Sequence, residues 1–259
     1  MDLLHDMFMK IIGSGAEAAT HTPVIIAHRG ASGYCPENTR SAFLKAIEMG
    51  ADSIELDIQL SKDGHLVVIH DPYLGRTVDG KGRIRDFLYS ELSLLDAGSW
   101  FGPAFAEERI LNLEETLELL DGKADILIEI KKPRLYPGIE KKLAQALEKV
   151  SHSKVIVQSF DLGTMQTFKM LCPHIQAGLL IKRYPWIWTL KRLKGISASI
   201  QYINPKRNIA GSRLIKRIKR AGLHVFVWTV RDREEAHRLA SLGVDGIITD
   251  FPDLLKLNK

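Results

Sequence analysis

The chain has 259 residues, 45% of them hydrophobic, with 36 Lys and Arg against 31 Asp and Glu for a formal charge of +5. That length and apolar content suffice for one large core, and α/β barrels commonly run to about 250 residues as a single domain, so residues 1–259 are expected to form one domain. No run of about 18 apolar residues occurs, which excludes a membrane-crossing helix from the reading. The N-terminus Met1-Asp2-Leu3-Leu4-His5-Asp6 lacks an apolar h-region, and Cys35 and Cys172 are too few for a disulfide framework, so a cytoplasmic, reducing compartment is expected.

In chain order, apolar runs at residues 24–28, 53–58, 66–70, 126–130, 155–159, 177–181, 198–203, 225–230 and 246–249 predict strands. Amphipathic stretches at 38–49, 113–120, 139–150, 162–171, 212–221 and 233–242 predict the helices between them, and Gly50, Gly222 and Gly243 stand where a left-handed cap suits glycine. Repeated β then α, with strands apolar on both faces, predicts a parallel sheet covered by helices. Nine strand candidates exceed the eight positions of a barrel, so one of them is an extra or edge piece. The glycine-dotted segment 72–110 breaks the alternation and is too long for an ordinary connection, which makes it a lid or a small insertion.

The chemistry-bearing residues fall where strands end. Side chains two apart in a strand share a face, so Glu55 and Asp57 can grip one ion together, and Glu129 with Lys131 repeats the spacing. Oxygen donors of this kind suit Mg²⁺ or Ca²⁺. Buried as an unpaired duo, two carboxylates in an apolar strand are costly, which weighs against a purely structural role. His28 and His70 each close an apolar run and are each followed by a charged residue, a pattern that favours an acid/base pair over two isolated structural histidines. Arg29 offers a bidentate fork to phosphate, and Gly30 lets a ligand approach the backbone. On spacing alone Trp228 reads as core. Glu37 either orients a catalytic group or caps a helix that Asn38 begins.

Charge is unevenly spread. Residues 162–231 hold fourteen Lys or Arg and no acid, leaving 22 cations against 31 acids, or −9, in the remainder. Within that segment Lys182, Arg183, Tyr184, Trp186, Trp188, Lys191 and Arg192 combine interfacial aromatics with cations, which fits either peripheral contact with an anionic membrane or an inward-packed barrel segment. No nucleic-acid-binding motif accompanies the basic residues, so nucleic acid is not an expected partner.

The ordered set Ala27-His28-Arg29-Gly30, Pro36-Glu37-Asn38-Thr39, Glu55-Leu56-Asp57, Lys62-Asp63-Gly64, His70-Asp71, Leu113-Glu114-Glu115, Glu129-Ile130-Lys131, Gln158-Ser159-Phe160, Trp228-Thr229 and Thr249-Asp250 resembles the glycerophosphodiester phosphodiesterases, over residues 24–252. The resemblance implies an α/β fold, a TIM-type (β/α)8 barrel with a small inserted cap segment at 72–110. It also implies hydrolysis of a glycerophosphodiester to glycerol 3-phosphate and an alcohol. Carried onto matching positions, Glu55, Asp57 and Glu129 would bind one divalent cation, Ca²⁺ or Mg²⁺. His28 would be the base and His70 the acid, Arg29 and Lys131 would hold phosphate, and Trp228 would line the pocket. Only Ile110-Leu111-Asn112-Leu113 departs from the family pattern, which often has a proline-containing turn there. Two alternatives remain beside this reading: lysophospholipase D-type activity at a membrane surface, and a catalytically silent barrel that binds phosphorylated ligands. One geometric expectation follows. A simple antiparallel hairpin through Lys62-Asp63-Gly64 would put His70 at the wrong end, so the chain between Asp57 and Leu66 is expected to travel back before the next strand rises.

Overall fold

A computed structural model describes residues 22–183 and 190–255, and its strands form one sheet curled into a barrel. Eight strands run parallel in the ring: β1 (Val24–His28), β2 (Ser53–Leu60), β4 (Asp125–Ile130), β5 (Val155–Ser159), β6 (Gln176–Ile181), β7 (Tyr202–Pro205), β8 (Phe226–Val230) and β9 (Gly246–Thr249). The ring closes between β7 and β8 through single parallel bridges, Tyr202 with His224 and Lys206 with Trp228. Around it lie α1 (Arg40–Glu48), α3 (Leu113–Leu120), α4 (Ile139–Leu147), α5 (Leu162–Leu171), α6 (Leu190–Ile196), α7 (Ser212–Arg220) and α8 (Arg233–Ser241), with a short α2 (Tyr89–Leu92) in the inserted segment. Among the described residues, no helix is long and apolar enough to cross a membrane. Cys35 and Cys172 are buried free thiols.

Alternation along the strands sorts the barrel into an outer and an inner core. Ile54, Leu56, Ile58, Ile126, Ile128, Val157, Leu179 and Ile247 point outward and pack with helix residues such as Phe43, Leu117, Leu143 and Phe168. Ile26, Leu127, Ile156, Tyr202, Phe226 and Ile248 form a separate cluster that plugs the inside of the barrel. Fully burying one such side chain is worth about 1.5–3 kcal/mol. Two residues further along the same strands come His28, Glu129, Gln158, Asn204, Trp228 and Asp250, so the polar layer at the carboxyl ends rests directly on the apolar plug.

Three sequence expectations need correction. The run 66–70 is not a barrel strand: β3 (Leu66–Val68) pairs antiparallel with β2, matching Ile58 with Val68 and Leu60 with Leu66. The chain therefore does not travel back between Asp57 and Leu66. Instead β2 overshoots the rim by three residues to Leu60 and turns at 61–65, and β3 brings the chain down again, so that the Ile69 N–H donates to the Asp57 carbonyl at 3.0 Å. His70 thus reaches the rim from above, on an added hairpin. The seventh barrel strand lies at Tyr202–Pro205, later than the predicted 198–203, because the preceding residues finish the turn after α6. The first helix begins at Arg40, its N-cap being Thr39, whose Oγ1 accepts from the Ala42 N–H at 3.3 Å; Asn38 is left for other work.

The inserted segment has its own small core of Val78, Ile84, Leu92, Ala97 and Ile110, packed on Val67 and Ile69 of the hairpin. Gly98 is required there, since a Cβ would meet the Phe105 carbonyl oxygen at 1.9 Å. Of the clustered aromatic and basic stretch read from the sequence, 184–189 lies outside the described residues, as does the N-terminal 1–21.

Candidate active site

Parallel register sets the site. His28 is level with Glu55, and Asp57 with Glu129, which is in turn level with Gln158. Because Glu55, Asp57 and Glu129 share the inward face of adjacent strands, each offers an oxygen within 4.8 Å of the others, and all three are buried. Oδ1 of Asp57 and Oε1 of Glu129 have no hydrogen-bond partner. The Lys131 ammonium stands 3.4 Å and 2.7 Å from those atoms, near enough for charge attraction but off the hydrogen-bonding direction. Burial, reinforced by Asp57 and Glu129, pushes the Glu55 carboxyl well above its ordinary range. Burial likewise raises Glu129 to about 7 despite Lys131. For Asp57 burial works in the same sense, but Lys131 and Arg29 outweigh it and hold this carboxylate below its usual range. A trio in which two members resist ionisation, with buried acceptor oxygens left over, is a site that gains from a further cation. Hard oxygen donors make Mg²⁺ or Ca²⁺ the fitting class.

The two histidines are mounted alike. His28 Nδ1 lies 2.6 Å from Oδ1 of Asp250, which also accepts from Ser32 Oγ at 3.0 Å and is gripped through Oδ2 by Arg231. His70 Nδ1 lies 2.6 Å from Oδ1 of Asp71, and Asp71 is gripped by Arg76. In each, a carboxylate fixes the ring through Nδ1, and Nε2 is the nitrogen left for the cleft that both rings line. Burial lowers both imidazoles below their ordinary value, against the pull of Asp250 on His28 and of Asp57 and Asp71 on His70. Asp250 itself stays below the carboxylate range: burial opposes this, but His28 and Arg231 prevail.

Arg29 sits in the left-handed region at φ 56, directing its backbone N–H to Glu55 Oε2 at 3.0 Å and its side chain to Glu37 at 2.8 Å and Asp57 at 3.1 Å. Glu37 is shared with Arg76, so it braces the cationic side of the site and does not cap a helix. Asn38, at φ 59, donates through Nδ2 to Asp57 Oδ2 at 3.0 Å and accepts the Asp57 N–H through Oδ1. Lys132, at φ 40, follows Lys131. Among the described residues these are the non-glycine positions with positive φ, and all three flank the carboxylates. Such backbone strain costs on the order of 1–3 kcal/mol each and is retained where a geometry must be held. Trp228 donates through Nε1 to the Asn204 carbonyl at 2.7 Å and meets the Phe160 ring edge-on at 5.6 Å.

A cleft of about 330 Å³ joins His28, Arg29, Glu55, His70, Glu129, Lys131 and Trp228, so of the eight residues to which the resemblance carries a site role all but the buried Asp57 line it. Beside His70 a second hollow of about 470 Å³ is walled by Pro72, Pro133, Leu135, Phe160 and Lys132. The inserted segment reaches the first cleft indirectly, through Arg76 on Asp71 and Glu37. Asp250 and Asp71 have no role in the sequence reading, Glu37 has two open ones, and Asn38 only the start of a helix. The available signal was that Asp71 follows a candidate histidine and Asp250 follows an apolar strand, as His28 does.

Comparisons with known proteins agree with this geometry. The model of the glycerophosphoryl diester phosphodiesterase family matches residues 28–254. A glycerophosphodiester phosphodiesterase of Caldanaerobacter subterraneus is 44% identical over 239 residues, covering 90% of this chain and 96% of that protein. Another from Bacillus subtilis is 36% identical over 245 residues, covering 88% and 84%. An Oleispira antarctica phosphodiesterase, solved in complex with the product sn-glycerol-3-phosphate, superposes with a TM-score of 0.84 at 31% identity over 89% of this chain and 94% of its own. With a closed parallel barrel, a buried carboxylate trio at its carboxyl end and relatives matched along nearly their whole length, this chain belongs to the glycerophosphoryl diester phosphodiesterase family.

Proposed function

We propose that the protein hydrolyses glycerophosphodiesters to glycerol 3-phosphate and an alcohol, with Glu55, Asp57 and Glu129 holding one divalent cation, Mg²⁺ or Ca²⁺. The observation that carries this is the buried trio within 4.8 Å, flanked by two histidines each fixed at 2.6 Å by its own carboxylate. The cation, when bound, would neutralise the anionic oxygens that make a phosphodiester resist attack. Arg29 and Lys131 add positive charge to the same oxygens, and Trp228 walls the glycerol side.

His28, kept neutral by burial, takes the proton from the attacking hydroxyl through Nε2, and Asp250 steadies the imidazolium that results. As the new P–O bond forms, the opposite P–O bond breaks, and His70 delivers a proton to the departing alkoxide. Asp57 and Asp71 favour the protonated form of His70, and a bound phosphate adds its own charge in the same sense. The attacking group is water, or the substrate's glycerol hydroxyl, which gives a cyclic phosphate first that water then opens to glycerol 3-phosphate. We further propose that the barrel with its 72–110 insertion acts as one unit, the insertion bracing Asp71 and Glu37, in a cytoplasmic setting with peripheral contact to anionic membrane and no nucleic-acid partner.

The apolar walls of the hollow beside His70, Pro133, Leu135 and Phe160, favour one second reading, a lysophospholipid whose chain lies there. Incubation with glycerophosphocholine, glycerophosphoethanolamine and lysophosphatidylcholine, with Mg²⁺, Ca²⁺ or chelator, separates the two. Release of glycerol 3-phosphate from the first two, abolished by chelator, is expected. Turnover of the lysolipid alone would replace the first reading with the second, and no turnover of any would refute both.

A further inference from the structure

On the wall of the cleft facing the carboxylates, three successive barrel strands each end in cations. Lys182 follows β6, Lys206 and Arg207 follow β7, and Arg231 follows β8, and all four line the cleft. In the ring these strands lie across from β2 and β4, which carry Glu55, Asp57 and Glu129. The positive charge there is not all spent. Arg207 pairs with Glu235 at 2.9 Å and Arg231 with Asp250, but among the described residues no carboxylate pairs with Lys182 or Lys206. Lys182 stands over the Phe160 ring at 4.3 Å, Phe160 itself lines the cleft, and both lysines are exposed. The scissile phosphodiester carries a single negative charge, and Arg29, Lys131 and the proposed cation already face it. Arg29 and Lys131 are engaged by Glu37, Asp57 and Glu129 on the carboxylate wall, whereas Lys182 and Lys206 stand on the facing wall with no acid partner among the described residues, a second and separate place for anionic oxygens.

We propose that Lys182 and Lys206, backed by Arg207 and Arg231, form a subsite for a second phosphate on the substrate. The preferred substrate class is then a glycerophosphodiester that bears another phosphate on the portion lying across the cleft. This rests on the phosphodiesterase reading above and narrows its substrate. Long-range attraction by the same charges would act differently: it would speed the encounter of any anion, without distinguishing one phosphate from two beyond their charge, and would fade with salt. A built subsite changes the preference between substrates, since a charge-assisted hydrogen bond to phosphate depends on where the second phosphate sits.

The test is kcat/KM for glycerophosphoglycerol, which has one phosphate, against bis(glycerophospho)glycerol, which has two, at about 0.15 M salt, where surface charges are screened over about 8 Å. The expected result is a preference of about tenfold or more for the two-phosphate compound, the scale of one charge-assisted bond. In Lys182→Ala/Lys206→Ala that preference falls towards unity, and in Lys182→Arg/Lys206→Arg it is largely kept. Equal or reversed preference in the unaltered protein would overturn the subsite, as would a double variant that lowers both substrates by the same factor, or a preference that disappears as salt is raised, which is the signature of steering. Failure to hydrolyse either compound counts against the phosphodiesterase reading instead. Calorimetric affinities for the two compounds, in unaltered protein and double variant, then decide the subsite independently of turnover.

Discussion

Replacing Asp250 by Asn tests the mounting of His28 at the cost of a single atom type. One Asp250 oxygen faces His28 Nδ1 and Ser32 Oγ, and the other faces the Arg231 guanidinium, a donor that cannot become an acceptor. An amide has one oxygen and one NH₂. If its oxygen stays on Arg231, the NH₂ confronts His28 Nδ1, which must then accept, and the ring proton moves to Nε2. The nitrogen meant to take a proton is thereby already protonated. If the oxygen turns to His28, the NH₂ is driven against Arg231, and a charged bond worth about 1.5–3 kcal/mol is lost. The side chains are only 14% and 12% exposed, so solvent does little to relieve either arrangement. The expected outcome is a fall in kcat of about 10²–10⁴, the usual worth of a general base, with KM changed far less. Steady-state kinetics on glycerophosphoethanolamine from pH 6 to 9 measure it. Circular dichroism should show an intact fold, because the backbone bond from the Gly33 N–H to the Asp250 carbonyl survives. An Asp250→Asn enzyme within about threefold of the unaltered kcat at every pH would refute the assignment of His28 as the base held through Nδ1.

The carboxylate trio predicts that chelator removes activity and that saturating Mg²⁺ or Ca²⁺ raises the melting temperature; at 100 times the dissociation constant the gain is about 2.7 kcal/mol, and Glu129→Gln should blunt it. A melting curve indifferent to both metals would contradict the site. Asp245 is a stability case remote from the chemistry: it accepts from the Val225 N–H and Lys219 Nζ, and although burial works against it these partners hold its carboxyl below the usual range. Its contribution is therefore complete above the unfolded value of about 3.9 and is lost as pH falls through the lower folded value, so Asp245→Ala should cost about 1–3 kcal/mol in urea unfolding at pH 7, with the gap narrowing as pH falls below about 3.9. A gap that did not narrow at all as pH fell below about 3.9 would show that packing, not charge, is lost. The basic segment predicts cosedimentation with anionic but not neutral vesicles, weakened by salt and by W186A/W188A; equal binding to both kinds would mean a merely solvated surface.

Much of the site was legible because strand alternation is rigid. Once Glu55 and Asp57 are placed on one strand they must share a face, and the same holds for Glu129 with Lys131. The apolar runs 24–28 and 126–130 coincide at their carboxyl ends with β1 and β4, at His28 and Ile130. What could not be read was anything set by contact across the chain. His28 and Asp250 meet across 222 residues, and Gln59, which donates to the carbonyls of Ile69 and His70 and so fastens the hairpin, looks like any strand glutamine. The direction of β3 was misread because a five-residue apolar run looks the same whether it climbs or descends. Its antiparallel course depends on β2 continuing past Asp57 for three more buried residues. The amphipathic stretch 38–49 starts the first helix at Asn38, whereas Thr39 is the cap and Asn38 is spent on Asp57.

That hairpin divides the proposed machinery between two mechanical bodies. His28 and the carboxylates are part of barrel staves, locked by hydrogen bonds on both sides. His70 hangs from β3, which has β2 on one edge, a lone bridge from Val67 to Asn112 on the other, and the inserted segment's small core behind it. Regions with fewer ties open first, well below the free energy of global unfolding. An opening of the hairpin and insertion alone would yield a molecule that still captures metal and phosphate yet has lost its proton donor. Amide exchange at Val68 and Ile69 faster than at Leu56 and Ile128 would reveal it. Substitutions such as Ile84→Ala or Leu92→Ala, within the insertion's own core, would then lower turnover in proportion to the time spent open while leaving product affinity intact.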